Sequence, residues 1–135
     1  MTTDTEEFVK NLWVAWNSHS WERTSSFYAD ECVMDDLPSR ICRGKRELEA
    51  YYADLLKGYP DLHFAAKSCF SSGNRIATEW TMRGTHTGDS PRFKATGKKF
   101  SIPGVSVIEI QDGKIIRETD YWDMCSLLRQ LGVMS

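Results

Sequence analysis

Metal-binding and disulfide patterns are scarce in this sequence. Its three histidines lie at no H-x-x-x-H spacing, and its four cysteines form no C-x-x-C pair. Such pairs are typical of structural zinc sites and of compact disulfide scaffolds, so neither is predicted. We therefore expect no metal site, and we expect reduced thiols that fill gaps in the core.

Long apolar runs and a strong net charge are absent as well. No run of about 18 apolar residues could span a bilayer, and 17 basic against 19 acidic side chains leave a net charge of −2. This balance predicts that neither nucleic acid nor an anionic membrane is the partner. The opening residues, MTTDTEEFVK, are acidic and lack an apolar stretch, so we expect no secretory signal and a cytoplasmic location.

Hydrophobic residues are plentiful and evenly distributed. They make up 41% of the 135 residues, and the chain contains no internal repeat and no linker rich in proline or glycine. Residues 1–135 are therefore predicted to form one domain whose core is large enough to enclose a pocket.

The periodicity of the apolar residues changes halfway along the chain. Helical spacing predicts helices over 4–17, after Ser20 and over 44–57, with a short strand at 32–35. Alternation then predicts four strands, over 62–71, 75–86, 100–110 and 115–122, before a short helix that follows Asp123. This order predicts an α+β fold, in which N-terminal helices pack on the concave face of a curved antiparallel sheet and enclose a pocket.

The turn after Ile110 determines which side chains of the last two strands share a face. A two-residue turn at 112–113 would pair Ile110 with Ile115, whereas a three-residue turn at 111–113 pairs it with Lys114. We favour the three-residue turn because it aligns the apolar faces. In that register Ser106 lies opposite Glu118, Gly104 lies opposite Asp120, and one inward face carries Phe100, Ile102, Ser106, Ile108, Ile110, Ile116, Glu118, Asp120 and Trp122.

This register places two carboxyl groups, those of Glu118 and Asp120, among apolar side chains such as Trp80. Burial raises the pKa of a carboxyl group, so that it can hold or donate a proton near neutral pH. The alternative is that this face is open at its end, with both acids solvated or paired with Arg83 or Arg117.

Five short motifs are similar to those of a known family. They are YPDL (59–62), GTHTG (84–88), ATGK (95–98), GKI (113–115) leading to YWD (121–123), and LRQLG (128–132). Together they resemble the SnoaL-like polyketide cyclases of the nuclear transport factor 2-like superfamily, which also includes ketosteroid isomerase, scytalone dehydratase and limonene epoxide hydrolase. The likeness covers nearly the whole chain and implies the cone-shaped fold.

The resemblance also implies roles for particular residues. The cyclases use an aspartate of the last strand as acid/base, and Asp120 matches that position. Ketosteroid isomerase has its base at the end of the first strand; YADECVMDD matches this segment with Asp36 at the base position, and Tyr52 matches a pocket tyrosine. Leu12 and Ser106 stand where the isomerase has its oxyanion donors, so simple steroid isomerisation is not expected.

The implied function is cofactor-free catalysis on a hydrophobic, polyketide-like carbonyl compound. Asp120 would remove a proton alpha to a carbonyl, and the enolate would close a ring by aldol-type addition. Asp36, or its neighbour Asp35, is the alternative base for an isomerase, dehydratase or hydrolase. The Arg-x-Asp pair of limonene-type epoxide hydrolases is matched here by Trp80 and Met82, which argues against that reaction. A third hypothesis is a binding module without catalysis, and a homodimer is expected from the relatives.

The candidate site residues follow from these arguments. The catalytic candidates are Asp120, Asp36 and His86, and the last is expected at the pocket mouth because it shares a strand face with Trp80 and Met82. The candidates for substrate binding are Tyr52, Trp80, Met82, Ser106, Glu118, Trp122 and Trp16. In a cavity, the three tryptophans would hold a planar polycyclic ligand.

Overall fold

The computed structural model describes residues 4–135 as helices packed against one six-stranded sheet. The elements are α1 (Asp4–Asn17), α2 (Trp21–Ser25), β1 (Tyr28–Asp36), β2 (Arg40–Arg43), α3 (Gly44–Gly58), β3 (His63–Ser72), β4 (Arg75–Thr85), β5 (Lys99–Gln111), β6 (Lys114–Trp122) and α4 (Met124–Gln130). The strand order is β2-β1-β6-β5-β4-β3. The predicted α+β fold class is confirmed, and no helix within residues 4–135 is long and apolar enough to cross a membrane.

Two features of the sheet differ from the prediction. The first strand is longer than expected and pairs in parallel with β6, so the sheet is antiparallel except for this one pair. The four residues of β2 were not predicted, because RICR is too short to show alternation and follows a proline that indicates the end of a strand. The parallel pair is important for the site, because it brings the end of β1 beside the end of β6.

The hairpin between β5 and β6 has a two-residue turn, so the favoured three-residue turn was wrong. Asp112 and Gly113 both have positive φ, at 51° and 75°, as a type I′ turn requires. Ile110 pairs with Ile115, and a bulge next to this pair leaves Ile116 without a partner. Beyond the bulge, Ser106 lies opposite Asp120, Ile108 opposite Glu118 and Gly104 opposite Trp122.

The bulge explains why most of the predicted inward face is present despite the wrong turn. An extra residue on one strand shifts the alternation by one position, which has the same effect on facing as a longer turn. Glu118 and Asp120 are therefore buried on the inner face, as expected. At the base of the hairpin, Ile115 is buried in place of the predicted Ile116.

Gly104 leaves room for an indole ring beside the carboxyl groups. Its register partners are Trp80 on β4 and Trp122 on β6. A Cβ atom at this position would lie 2.2 Å from Cη2 of Trp80, so the ring lies directly on the glycine. This placement lets the indole Nε1 of Trp80 donate to Oγ of Ser106 at 2.9 Å.

Gly104→Ala is therefore expected to destabilise the fold by about 2 kcal/mol, because the ring must leave its position and break its hydrogen bond. Urea unfolding measures the change. In a Trp80→Phe background the smaller ring leaves room for the methyl group, so the same glycine substitution should cost much less there. An equal cost in both backgrounds would contradict this account of the contact.

Candidate active site

A cavity of about 260 Å³ lies between the inner face of the sheet and the helices. Its floor is aromatic, and the Trp13 and Phe64 rings there stack at 4.9 Å. Its apolar lining consists mainly of Trp13, Trp16, Met34, Phe64, Trp80 and Met82 at the floor, with Met124, Leu127, Leu128 and Leu131 from the end of the chain. Such a lining favours a hydrophobic, ring-containing ligand.

Three carboxyl groups form one polar wall of this cavity. Asp36 on β1 and Asp120 on β6 are register partners, and Ser106 on β5 is the partner of Asp120 on the other side. Glu118 precedes Asp120 by two residues and faces the same way. The exposed fractions are 4% for Asp36, 2% for Glu118 and 8% for Asp120. Within residues 4–135 none of the three forms an ion pair with a lysine or arginine, so the predicted alternative of pairing with Arg83 or Arg117 is wrong.

Asp36 accepts a hydrogen bond at each of its oxygens. The indole Nε1 of Trp122 donates to Oδ1 at 2.6 Å, and the hydroxyl of Tyr51 donates to Oδ2. Both donors stabilise the ionised form, but burial and the nearby Asp120 outweigh them and raise the pKa of Asp36 to about 7. At neutral pH, Asp36 is therefore close to half ionised, which suits a general base.

Asp120 is held by a chain of two donors. Trp80 donates to Ser106, which leaves the single hydroxyl proton of Ser106 for Oδ1 of Asp120 at 2.5 Å. Burial raises the pKa of Asp120 well above its usual range, and the adjacent Glu118 raises it further. The surroundings of Asp120 therefore favour its protonated form.

Glu118 is held by a second chain from the opposite side. The indole of Trp16 donates to the hydroxyl of Tyr28 at 3.2 Å, and that hydroxyl donates to Oε1 of Glu118 at 2.8 Å. Burial raises the pKa of Glu118, while hydrogen bonds from Asp120 and Tyr28 oppose the rise. The ionised form of Glu118 is thus better supported than that of Asp120.

Eight of the ten predicted site residues line the cavity. They are Asp36, Asp120, Ser106, Glu118, Trp16, Trp80, Met82 and Trp122. Their roles in binding or catalysis remain predictions, but their positions bring the predicted acids, hydroxyl and indoles to one enclosed site.

His86 and Tyr52 lie outside this site. His86 is fully buried; its Nδ1 contacts the Thr96 hydroxyl at 3.1 Å, and its ring packs at 5.3 Å against Tyr59, which lines the cavity in its place. The residue is not at the mouth, because backbone pairing with Lys98 and Gly97 extends the sheet past the end of β4. Tyr52 packs on Trp16 and contacts the hydroxyl of Thr24 at 3.2 Å, behind the cavity wall.

The residue that sequence reasoning missed is Tyr51, which lies beside Tyr52 on α3. Both tyrosines belong to the apolar face of that helix, and only the three-dimensional packing distinguishes the one that reaches Asp36. The guanidinium of Arg40 lies 4.9 Å above the Tyr51 ring and donates to Asp54 at 2.9 Å. Arg40 and Asp54, with the exposed Arg92, line the outer part of the cavity.

Several solved structures of other proteins share the fold of this chain. AclR of Streptomyces galilaeus, a proposed hydroxylase, has a TM-score of 0.83 at 23% identity over 96% of this chain and 85% of its own. IdmH of Streptomyces antibioticus, a proposed polyketide cyclase, has a TM-score of 0.80 at 21% identity over 97% and 100%. A protein of Catenulispora acidiphila with a ketosteroid isomerase-like fold has a TM-score of 0.83 at 19% identity over 98% and 95%.

Because the sequence identities are low, these likenesses establish only the fold. Among curated proteins, none matches this chain. The family model of the SnoaL-like polyketide cyclases matches residues 4–131. The resemblance inferred from the five motifs is thereby confirmed, and the chain belongs to the SnoaL-like polyketide cyclase family.

Proposed function

We propose that this protein is a cofactor-independent acid/base catalyst that closes a ring in a hydrophobic carbonyl compound by aldol-type addition. The observation that carries the proposal is the pairing of Asp36 with Asp120 across β1 and β6, inside an apolar cavity. The two carboxyls differ in environment: Asp36 is near half ionisation at neutral pH, whereas burial and the adjacent Glu118 raise the pKa of Asp120 well above its usual range and favour its acid form. One site thus holds both a base and an acid.

Asp36 is the better base of the two, because a base must be ionised before it acts. Its two donors use one acceptor position on each oxygen, and each oxygen keeps another for the incoming proton. This assignment reverses the one favoured by the family resemblance, in which Asp120 removes the proton. The environment of Asp120 favours the acid form instead.

The proton balance of ring closure suits this division. The Asp36 carboxylate removes a proton alpha to one carbonyl, which forms the enolate and a neutral Asp36. The enolate carbon then bonds to a second carbonyl carbon, and the oxygen of that carbonyl takes the Asp120 proton. The product is a hydroxyketone, and the proton on Asp36 returns to Asp120 on the neighbouring strand, about 5 Å away. The enzyme ends as it began.

A binding module without catalysis is the competing hypothesis, and it makes use of the same aromatic floor. It predicts saturable binding of apolar ligands and no dependence of any turnover on the carboxyls. The buried row of unpaired acids favours catalysis, because carboxyl groups without an ion-pair partner are costly in an apolar cavity that only binds.

Exchange of alpha protons tests the proposal before the natural substrate is known. A panel of aromatic and polycyclic ketones is incubated with the protein in D₂O, and deuterium incorporation alpha to the carbonyl is followed by NMR. We expect saturable exchange with at least one ketone, rising with pH through about 7 as Asp36 ionises. Saturable binding without exchange across the panel would support the binding module and contradict the proposed function.

A further inference from the structure

Glu118 is a buried carboxyl for which the proposed reaction has no step. It lies two residues before Asp120 on the same face of β6, and both side chains are turned into the cavity wall. Its replacement by an apolar residue of similar size would remove a costly group from the core. Its presence therefore needs a physical reason.

The two carboxyls receive too few hydrogen bonds to stabilise both of them in the ionised form. Tyr28 has one hydroxyl proton and donates it to Glu118, and Ser106 has one and donates it to Asp120. Each carboxyl thus receives a single neutral donor from the protein, from opposite sides of the pair. The remaining acceptor positions are left for the partner carboxyl or for a ligand.

The titratable groups that surround the pair also oppose double ionisation. On β1 these are Tyr28, Cys32, Asp35 and Asp36, and α3 contributes Tyr51. All five are acids. The cations of this region are already paired with other carboxylates, Arg40 with Asp54 and Lys45 with Asp30, and β5 contributes only the hydroxyl of Ser106. A second negative charge beside the first would be unfavourable in this setting, and the pair therefore retains a proton.

We propose that Glu118 and Asp120 hold one proton between them, with Glu118 as the ionised member, so that Glu118 is a positioning residue that keeps Asp120 in its acid form. The inference deepens the proposed function and rests on Asp120 as the acid of that reaction. When Asp120 gives its proton to the substrate oxygen, the pair becomes doubly negative. This state favours rapid return of a proton from neutral Asp36, which resets the site.

A carboxyl ¹³C NMR titration of the substrate-free protein tests the shared proton directly. Two carboxyls that share a proton titrate in two separated steps, and each resonance responds to both. We expect the Asp120 Cγ and Glu118 Cδ resonances to show both steps, with the second step above neutral pH. Two independent single steps near the ordinary carboxyl values of about 4 would overturn the proposal.

Glu118→Gln removes the charge while keeping the side-chain shape. We expect the Asp120 midpoint to fall by about one to two pH units, because the like charge beside it is gone. The rate of ring closure falls on the alkaline side when Asp120 loses its proton, and the pH at which this fall begins should decrease by the same amount. Glu109→Gln is the matched control: it is the same substitution on β5, paired with Arg75, and it should leave the Asp120 titration unchanged.

The outcomes separate this proposal from the proposed function. An unchanged Asp120 midpoint in Glu118→Gln would refute the pair, whatever the activity. A lowered midpoint combined with full turnover in a protein whose Asp120 is replaced would leave the pair intact and refute the catalytic role. If Glu118→Gln does not fold, the two-step titration of the wild-type protein decides the question alone.

Discussion

Asp120→Asn is expected to lower the rate of ring closure about 1,000-fold at pH 7, because the amide has no acidic proton to give to the attacked carbonyl. The amide oxygen still accepts from Ser106, so the chain of donors from Trp80 stays in place. The rate is measured with a diketone that the wild-type protein closes by intramolecular aldol addition. Alpha-proton exchange should persist in this variant, because Asp36 remains.

The control for this variant is its folded state and its affinity for an apolar ketone. Both should match the wild-type protein, since an isosteric amide relieves the burial of an acid rather than creating a cavity. Ring closure at the wild-type rate in Asp120→Asn would contradict the role of Asp120. Loss of alpha-proton exchange with preserved binding would instead identify Asp120 as the base.

Asp36→Asn is expected to lower alpha-proton exchange about 1,000-fold, because it removes the group that takes the proton. We expect this loss of exchange only when Asp36 is replaced, because Asp36 faces the cavity. Replacement of its neighbour Asp35 should leave exchange unchanged. Asp35→Asn is the matched control, since it changes the same residue type one position earlier on β1 and lies on the other face of the strand. Equal exchange in Asp36→Asn and the wild-type protein would contradict the assignment.

The same substitution should change how stability depends on pH. The pKa of Asp36 rises from 3.8 to about 7 on folding, so the folded protein binds more protons than the unfolded chain between these values. Stability from this group is fully present below pH 3.8 and is lost as the pH rises through about 7. The full loss corresponds to about 4 kcal/mol.

Asp36→Asn does not lose stability in this way. The unfolding free energy of the variant minus that of the wild-type protein should therefore increase steadily between pH 4 and pH 8. Urea unfolding at several pH values measures the difference, and taking the difference cancels the titration of groups that do not interact with Asp36. A difference that does not change with pH would show that Asp36 titrates normally in the folded protein.

Much of the fold follows from the sequence because its signals are local. The helices over 4–17 and 44–57 and the long strands show clear periodicity, and the structure has them within one or two residues of the predicted bounds. The inward facing of Glu118 and Asp120 was also predicted, although through a turn that the structure does not have. The alternation of inward and outward side chains along β6 is a strong signal in the sequence, whereas the number of residues in the turn is only weakly indicated.

The rest of the site depends on contacts between distant parts of the chain. Nothing in the sequence indicates that β1 runs parallel to β6, and that pairing alone brings Asp36 beside Asp120. Helical spacing puts Tyr51 and Tyr52 on the same apolar face, so it cannot show which one reaches a carboxyl. For His86, strand alternation correctly predicts the inner face of the sheet. It does not predict that Tyr59 packs against the imidazole ring and lines the cavity in its place.

The central claim is that Asp36 and Asp120 share one cavity in different protonation states at neutral pH. A carboxyl ¹³C titration of these two residues in the substrate-free wild-type protein measures this directly. We expect a midpoint near 7 for Asp36 and a higher final step for Asp120. Midpoints near 4 for both residues would mean that the two acids are ionised together, and would contradict the division into base and acid.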